Sequence, residues 1–478
     1  MMLLQNLVRV FVSPRSLLLT TAVVVLALCG VHPLYAQISH GGAPHSFELA
    51  DLNEPPVATM PAVNVEALRA EDQLEQQQDQ PVPLRFGKAF NVSLGLEEAG
   101  EWTTLSNGDR LWRLRIASQG AYSINLIFDQ FFLPPGAQLF LYDEERSTVR
   151  GAFTEENNKE HGKFSTAPIK GSSITLEYYE PKSVHGKSRL RVSTVVHAYR
   201  DVFNKESGVS RNDFGDSDSC HINVNCSGGN SWQDEKRAVA MIINGNGNRI
   251  CTGALVNNER EDLTPYFLTA DHCLDGNVNQ WVFVFNYESP DCSNTNGSTS
   301  QSISGATLRA NNGVSDFALL ELDNRPPAGY DTYYAGWNMK GTPPKSSVGI
   351  HHPNGDIKKI ALDYDAANSV AYGGGNGNTH WEVSWDDGIT AVGSSGSPLF
   401  DQNHRIVGQL HGGTSYCSTP SEPDWYGKFS MSWDYGSSAS TRLKDWLDPD
   451  NTGIQTLDGR EGPSLTVSLS GPNYLDEG

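Results

Sequence analysis

Three segments of this chain decide its fold: Thr269-Ala270-Asp271-His272-Cys273, Ser315-Asp316-Phe317-Ala318-Leu319-Leu320 and Gly393-Ser394-Ser395-Gly396-Ser397-Pro398. Each segment alone is common, because a histidine beside a cysteine, an aspartate before an apolar run and a turn rich in Gly and Ser occur in many proteins. Together they supply an imidazole, a carboxylate and a hydroxyl in the order His, Asp, Ser. This joint order is the informative signal.

The order of these side chains indicates the fold class. Folds that combine His, Asp and Ser place them in different chain orders, and His, Asp, Ser is the order of chymotrypsin-like β-barrels. Positions 272, 316 and 395 leave room for half a barrel between successive members. Short apolar runs such as 281–287 and 406–410 lie between clusters of Gly, Asn, Ser and Thr, which is typical of strands, and helical patterns are scarce. We predict a mostly β protein with a chymotrypsin-like double β-barrel domain.

The three side chains can act together on a carbonyl group. A serine hydroxyl needs a base that accepts its proton during attack, which is the role predicted for His272. A buried carboxylate fixes the tautomer of that base, and Asp316 fits because it enters the core with the apolar run behind it. Gly393 and Gly396 allow a tight turn, so that the amides of Gly393 and Ser395 can bind an oxyanion. The pattern predicts a serine endopeptidase with His272, Asp316 and Ser395 as catalytic residues.

Charge limits the possible partners. The chain has 35 Lys and Arg against 56 Asp and Glu, a formal net charge of −21. This balance argues against nucleic acid and against anionic membranes, and it favours basic substrates at long range. The partners expected are therefore proteins and peptides.

The amino terminus has the pattern of a secretion signal. Arg9 and Arg15 precede an apolar stretch at 17–28 that is too short for a membrane-spanning helix. We predict a signal peptide over 1–36, with cleavage after Ala36, and a secreted protein that has no membrane contact once the signal is removed. Cys29 would leave with the signal.

Six of the seven cysteines remain after that cleavage, at 220, 226, 251, 273, 292 and 417. An even number in an exported protein predicts three disulfides, although the sequence alone leaves the pairing open. There is no Cys-x-x-Cys pair, and His351 and His352 are neighbours on a predicted strand, so they point to opposite faces. We expect no metal site and no cofactor.

The cysteine-free part of the chain indicates a separate domain. Residues 71–80 are acidic and rich in Gln, and 84–199 contains period-two runs such as 111–116 and 138–142 between Pro and Gly turns. This pattern predicts a β-sandwich, which could serve as a propeptide that assists folding and blocks the active site, or as a carbohydrate-binding module. Its place between a signal and a protease favours the propeptide, over 37–207.

The carboxyl-terminal residues 462–478 are too few for a domain. They contain the strand-like stretch 465–469, which resembles the first strand of a β module that follows the protease in many secreted bacterial enzymes. The chain could therefore be a fragment, and we assign this tail no function.

From about 208 to 461 the chain resembles the lysyl endopeptidases, secreted bacterial proteases of the trypsin-like class, and the β-rich region before it is similar to their propeptides. The matching segments, in addition to 393–398 and 315–317, are Cys251-Thr252-Gly253-Ala254-Leu255-Val256-Asn257-Asn258, Tyr266-Phe267-Leu268-Thr269-Ala270-Asp271-His272-Cys273, Ile350-His351-His352-Pro353 and Gly408-Gln409-Leu410-His411-Gly412-Gly413. The resemblance implies the disulfides Cys220–Cys417, Cys226–Cys292 and Cys251–Cys273.

The resemblance also implies a substrate pocket for lysine. Trypsin carries its pocket acid six positions before the serine, where this chain has Ile389. In lysyl endopeptidases the acid comes from a later Asp-x-Tyr-Gly segment, matched here by Asp424, and a desolvated carboxylate would favour an ammonium group. The open alternatives are that Asp424 is a solvated loop residue or that Asp386 or Asp387 is the pocket acid.

Further substrate-binding residues follow from the same resemblance. His411 matches a family histidine near the triad and the substrate cleft, and Tyr372 stands where its tryptophan partner usually lies. Gly412 and Gly413 continue that segment into the predicted cleft.

Activation differs from that of trypsin, because Ser394 stands where trypsin-like zymogens carry the Asp that pairs with the new amino terminus. Removal of the propeptide is expected instead, by self-cleavage after Lys205 or by another protease after Arg211. Three functional alternatives remain: a protease that accepts both Lys and Arg, a glutamate-directed relative, and a binding or adhesion protein whose protease domain is inactive. A glutamate pocket would be cationic, which Asp424 opposes.

Overall fold

The structure is a computed structural model that describes residues 39–50, 52–76, 82–201, 217–374 and 377–464. The predicted signal peptide 1–36, the processing candidates Lys205 and Arg211 and the strand-like stretch 465–469 lie outside the described residues. Within the described ranges, none of the helices has the length and apolar character needed to span a membrane.

The residues before 200 form a β-sandwich. Its strands, with one further strand that joins the next region, are β1 (Val57–Thr59), β2 (Leu84–Arg85), β3 (Gly87–Gly95), β4 (Glu101–Thr104), β5 (Arg110–Ala117), β6 (Ser123–Phe132), β7 (Gln138–Asp143), β8 (Val149–Phe153), β9 (Phe164–Ser165), β10 (Ile169–Lys170), β11 (Ser173–Glu180) and β12 (Arg189–Ala198). One sheet has the order β1-β5-β11-β7-β8, with β4 beside β5, and the other β10-β6-β12-β3, with β9 beside β6. Trp112, Leu126 and Leu176 belong to the core shared by both sheets, so the predicted sandwich is confirmed.

One helix in this region was not expected from the sequence. Helix α1 (Val65–Gln76) has mostly polar residues and lies in the acidic, Gln-rich lead. Leu68 is buried, and Asp72 pairs with Arg85 at 2.7 Å. Long-range contacts of this kind stabilise a helix whose own pattern is weak.

The residues after 217 form two large, mostly antiparallel sheets and one two-stranded sheet. Their strands are β13 (Ile222–Asn223), β14 (Val239–Ile243), β15 (Arg249–Leu255), β16 (Tyr266–Ala270), β17 (Val282–Phe285), β18 (Ser302–Ser304), β19 (Ala306–Asn312), β20 (Phe317–Leu322), β21 (Tyr333–Tyr334), β22 (Gly336–Asn338), β23 (Ser347–His351), β24 (Lys359–Asp363), β25 (Asn368–Val370), β26 (His380–Val383), β27 (Pro398–Asp401), β28 (Arg405–Gly413), β29 (Asp424–Lys428), β30 (Thr456–Leu457) and β31 (Arg460–Glu461). The short helices α2 (Phe429–Asp434) and α3 (Lys444–Leu447) follow β29.

The two sheets are the two barrels of a chymotrypsin-like fold. The first has the order β18-β17-β14-β15-β16-β20-β19, with β2 beside β15. The second has the order β13-β24-β23-β27-β28-β29-β26-β25, with β22 beside β28 and β30 beside β22. Buried side chains of both sheets, such as Phe267 and Phe400, belong to one core cluster. The predicted mostly β, double-barrel class is therefore confirmed.

Three disulfides lie in this part of the chain. They join Cys220 to Cys417, Cys226 to Cys292 and Cys251 to Cys273, which is the pairing that the resemblance implies. The last of them connects β15 to the short 3-10 turn Asp271–Cys273, which carries His272.

Candidate active site

Strand pairing brings His272 and Asp316 together. β16 and β20 pair antiparallel with Ala270 opposite Phe317, so the residues just beyond these strand ends become neighbours. The imidazole Nδ1 of His272 lies 2.8 Å from Asp316 Oδ2, and the His272 amide donates to Asp316 Oδ1 at 2.9 Å. Asp316 is 3 % exposed and has φ of 54°, a backbone conformation that non-glycine residues seldom adopt. Both carboxylate oxygens therefore hold the His272 loop.

Strand β15 attaches the Ser395 turn, from the second barrel, to the first barrel. The amide of Thr252 donates to the Ser395 carbonyl at 2.8 Å, and the Thr252 hydroxyl donates to the Gly393 carbonyl at 2.9 Å. The Cys273 sulfur, next to His272, lies 3.9 Å from the Ser395 carbonyl oxygen. His272 Nε2 is buried and has no hydrogen-bond partner among the described residues. That nitrogen is the atom that a base would use.

The turn around Ser395 requires both of its glycines. Gly393 has φ of 94° and Gly396 has φ of 82°. A Cβ on Gly396 would overlap the Thr269 hydroxyl and lie 2.5 Å from the Thr252 carbonyl oxygen. In the described part of the chain the amides of Ser394, Gly396 and Ser397 donate to carbonyl oxygens, whereas those of Gly393 and Ser395 donate to none. The latter two are free for an oxyanion.

Asp424 is a buried carboxylate at the start of β29. It has no exposed surface, and its Oδ2 accepts hydrogen bonds from Trp385 Nε1 at 2.7 Å and from the Thr390 hydroxyl at 2.8 Å. The Ser415 hydroxyl donates to Oδ2 as well, at 2.9 Å. Burial raises the pKa of Asp424, while these donors act in the opposite direction. Asp424 is therefore a buried acid rather than a solvated loop residue.

Asp424 and Ser395 line the same cavity, which has a volume of about 510 Å³. Gly412 and Gly413 form part of its wall. The backbone of Gly413 lies against the Asp424 carboxylate, so closely that a Cβ there would overlap it. A volume of this size is typical of ligand-binding sites.

The other pocket candidates lie elsewhere. Asp386 and Asp387 are exposed, and both bond Tyr364: Asp386 accepts from its amide at 2.7 Å and Asp387 from its hydroxyl at 2.8 Å. Ile389 is 2 % exposed and packs in the core of the second barrel. The cavity beside Ser395 is lined by Asp424 and by none of these three residues.

Sequence analysis missed the partners of Asp424. No sequence motif marks Trp385, Thr390 or Ser415. They reach the Asp424 carboxylate only because β29 pairs with β26 and with β28. The sequence could have pointed to Thr390 as a pocket residue, because it directly follows Ile389, the position that corresponds to the pocket acid of trypsin.

His351, the last residue of β23, and the adjacent His352 have separate partners. His351 Nδ1 lies 2.8 Å from the Ser394 hydroxyl, and His352 Nδ1 lies 2.9 Å from the Asp356 carbonyl oxygen. The His351 ring therefore contacts a side chain of the Ser395 turn, whereas the His352 ring contacts the backbone at Asp356.

His411 lies beside His272 and Asp316. Its Nε2 is 3.7 Å from Asp316 Oδ2, and its ring centroid is 5.8 Å from that of His272. The Tyr372 ring stacks on the His411 ring, with centroids 3.7 Å apart and planes at 19°. His380 was not singled out by sequence analysis. Its Nε2 lies 2.9 Å from His411 Nδ1. The tyrosine therefore preserves a stacked partner for His411.

Helix α1 and the residues that follow it reach the same cavity. Asp72 and Glu75 of α1 line it, as do residues 82–85. β2 pairs antiparallel with β15, and Arg249 binds both oxygens of Glu75 at 3.0 and 2.9 Å. Part of the wall facing Ser395 is thus built by the amino-terminal region.

Comparisons with known proteins show what the chain is similar to. Residues 214–427 match the family model "Lysyl endopeptidase, C-terminal domain". The chain is 29 % identical over 385 residues to the lysyl endopeptidase of Pseudomonas aeruginosa PAO1, covering 73 % of this chain and 81 % of that protein. Solved structures that it resembles include the thermostable serine protease AL20 from an extremophilic microorganism, at 13 % identity and a TM-score of 0.31, covering 41 % of this chain and 92 % of that one. Another is the HtrA-type protease AlgW with a tripeptide, at 14 % identity and a TM-score of 0.30, covering 40 % and 56 %.

The double-barrel fold and the family match define a trypsin-like serine endopeptidase, whose substrates are peptides and proteins. Within that class, the match over residues 214–427 and the 29 % identical relative support the lysyl endopeptidase family.

Proposed function

We propose that this protein is a secreted endopeptidase that cleaves on the carboxyl side of lysine, with His272, Asp316 and Ser395 as its catalytic triad. The observation that carries the specificity is the fully buried Asp424 carboxylate in the cavity beside Ser395. The hydrogen bonds between His272 and Asp316 and the turn that carries Ser395 support peptide hydrolysis by this triad.

In the acylation step, Ser395 Oγ attacks the carbonyl carbon of the scissile bond and His272 Nε2 accepts the hydroxyl proton. Asp316 keeps the N–H on Nδ1 and stabilises the imidazolium that forms. The amides of Gly393 and Ser395 donate to the oxyanion of the tetrahedral intermediate. His272 next gives its proton to the leaving amine, and the acyl-enzyme forms.

In the deacylation step, water attacks the ester carbonyl and His272 accepts a proton from it. The second tetrahedral intermediate collapses, Ser395 Oγ leaves and takes the proton back from His272. The product is a peptide with a new carboxylate, and the enzyme returns to its starting state.

Lysine fits the pocket because its ammonium group is a compact cation with three donors. At Asp424 it would meet a carboxylate that has no exposed surface, so the attraction is weakly screened. The hydroxyls of Thr390 and Ser415 have oxygens that can accept the remaining donors. Gly412 and Gly413 keep the wall open for the aliphatic stem.

The protein is made as a precursor in this proposal. Residues 1–36 are the signal peptide, 37–207 are a propeptide that blocks the cleft, and 208–461 are the protease. The position of α1 and residues 82–85 against the cavity supports inhibition by the propeptide. The three disulfides support an exported protein, since disulfides persist in oxidising compartments.

The test is to map, by mass spectrometry, the bonds that the purified mature protein cuts in an unrelated protein, with Ser395→Ala as the control. Cuts after lysine alone are expected, and none with Ser395→Ala. Equal cutting after lysine and arginine would retain the triad and overturn the lysine pocket, and activity in Ser395→Ala would overturn the triad.

A further inference from the structure

His380 is a buried histidine behind the proposed triad, and it does not touch the cleft residues Ser395 or Asp424. It begins β26, is 1 % exposed and lies opposite Gly427 of β29. Its Nε2 is 2.9 Å from His411 Nδ1, and its Nδ1 is 2.8 Å from the Thr379 hydroxyl. Both ring nitrogens are therefore used.

A row of polar side chains leads from His380 to the triad, joined first by a hydrogen bond between the His380 and His411 rings and then by a 3.7 Å electrostatic contact with Asp316. His411 lies between the two, with Nδ1 toward His380 and Nε2 at 3.7 Å from Asp316 Oδ2. Asp316 in turn holds His272 at 2.8 Å. Stacking of Tyr372 on His411 restricts how far the middle ring can tilt.

The protonation of this row follows from its chemistry. Burial lowers the pKa of His380 and of His411 to about 4, so each ring is neutral near neutral pH and carries one N–H. The His411 nitrogen that faces the carboxylate must carry the proton, because a lone pair there would be repelled. His411 Nδ1 then accepts from His380 Nε2, and His380 Nδ1 accepts from the Thr379 hydroxyl.

We infer that His380 is a positioning residue, which holds His411 in the tautomer that directs an N–H at the Asp316 carboxylate. The inference rests on the proposed function of Asp316 and His272. With that N–H in place, the carboxylate keeps one orientation toward His272, and the base stays aligned with Ser395. Without it, the His411 ring can present a lone pair to Asp316 and displace the carboxylate.

The charged and titratable groups around His380 come from three elements. Lys428 of β29 is the nearest cation, and it lowers the pKa of His380 beyond the effect of burial. His411 of β28 and the Tyr372 ring, with its centroid 5.6 Å away, complete the surroundings. None of these groups offers an acidic partner that would keep His380 protonated.

The first measurement is the ¹⁵N and ¹H NMR spectrum of the histidine rings in the Ser395→Ala protein, which needs no catalysis. We expect His411 to carry its proton on Nε2 and to be unprotonated at Nδ1. In the same background, His380→Leu should give a mixture of the two tautomers. A His411 ring protonated at Nδ1 before the substitution, or unchanged after it, would overturn the inference.

The second measurement is hydrolysis of a lysyl peptide amide by variants with an intact Ser395. His380→Leu should lower kcat about tenfold with little change in KM, because alignment is lost and the Asp424 pocket is untouched. His380→Gln retains an N–H donor and should restore most of kcat. Equal losses in His380→Leu and His380→Gln, or a loss confined to KM, would mean a merely structural role.

Two further variants keep the test interpretable. Thr379→Val is a small change that should lower kcat in the same direction even if His380→Leu does not fold. Tyr330→Phe is the matched control, since it removes a buried hydrogen bond to the Ser302 carbonyl in the first barrel and should leave kcat unchanged. Residual activity in Ser395→Ala would reject the proposed triad, while the NMR result would still decide the tautomer.

Discussion

At the scale of single residues, the buried carboxylate of Asp424 accepts hydrogen bonds but has no cationic partner among the described residues that donate to it. Each hydrogen bond that the described residues donate to it comes from a neutral group: Trp385, Thr390 or Ser415. These donors stabilise the charged form without cancelling its charge. In the proposed function, the carboxylate is therefore left to pair with the lysine side chain of a substrate.

Replacing Asp424 by Asn removes the charge and keeps the shape. Loss of one partner from a buried ion pair costs about 3 kcal/mol, so kcat/KM for lysyl substrates should fall about 100-fold or more. Steady-state kinetics with matched lysyl and uncharged peptides measure this ratio. Asp386→Asn is the control, since Asp386 is exposed and bonds Tyr364; an equal loss in that variant would point to a long-range charge effect.

Acidification should weaken the binding of lysine. Burial raises the pKa of Asp424 above its ordinary value of 3.8, so the carboxyl begins to take up a proton at a higher pH than an exposed aspartate does. The neutral acid cannot pair with ammonium, so KM for lysyl peptides should rise as the pH falls. Asp424→Asn should remove this rise, and a KM that changes with pH equally in both proteins would assign the titration to another group.

At the scale of elements, the Ser395 turn depends on β15 and β16 of the other barrel. The backbone of Gly396 lies against Thr252 and Thr269, and Thr252 holds both Gly393 and Ser395. The position of the serine is therefore decided by packing between barrels, not by the turn alone. Adding one methyl group at this contact should displace Ser395 and lower the activity.

Gly396→Ala tests that contact. The added Cβ would overlap the Thr269 hydroxyl, so we expect a loss of activity of about 100-fold, as a displacement of about 1 Å can produce. Rates on a lysyl peptide and denaturant unfolding measure both effects. Gly276→Ala is the matched control, because Gly276 has a similar φ of 79° and an added Cβ there would meet nothing within 4 Å. Similar losses in the two variants would show that backbone strain alone is responsible.

At the scale of the whole molecule, the sandwich region and the barrels belong to one compact unit. Arg249 of the first barrel holds Glu75 of α1, and Arg85 and Arg200 both bind Asp72. These ion pairs anchor α1 where it lines the cavity of Ser395 and Asp424. In the proposed precursor, the amino-terminal region would therefore restrict access to the cleft.

The Ser395→Ala precursor should accumulate uncleaved if the protein matures itself. The reason is that the cut near Lys205 would need the same serine that the mature enzyme uses. Gel analysis and intact mass after export detect the precursor, and a trace of mature wild-type enzyme should then cleave it. Normal maturation of the variant would instead identify another protease as the processing enzyme.

The sequence by itself determined the double-barrel class, the candidates His272, Asp316 and Ser395, and the β-sandwich before them. These are properties of local pattern: alternation along strands, glycines around a turn and the order of three motifs. The disulfide pairing and Asp424 came from resemblance to a family rather than from the residues alone. The structure agrees on the pairing, and it buries Asp424 beside Ser395.

Only the tertiary structure decided the surroundings of these groups. Helix α1 was missed because its apolar pattern is weak and its stability comes from Arg85 and Arg249, which are distant in sequence. The donors to Asp424 and the His380–His411 pair were missed for the same reason. Strand register and burial bring such side chains together, and both arise from long-range packing that a local pattern does not encode.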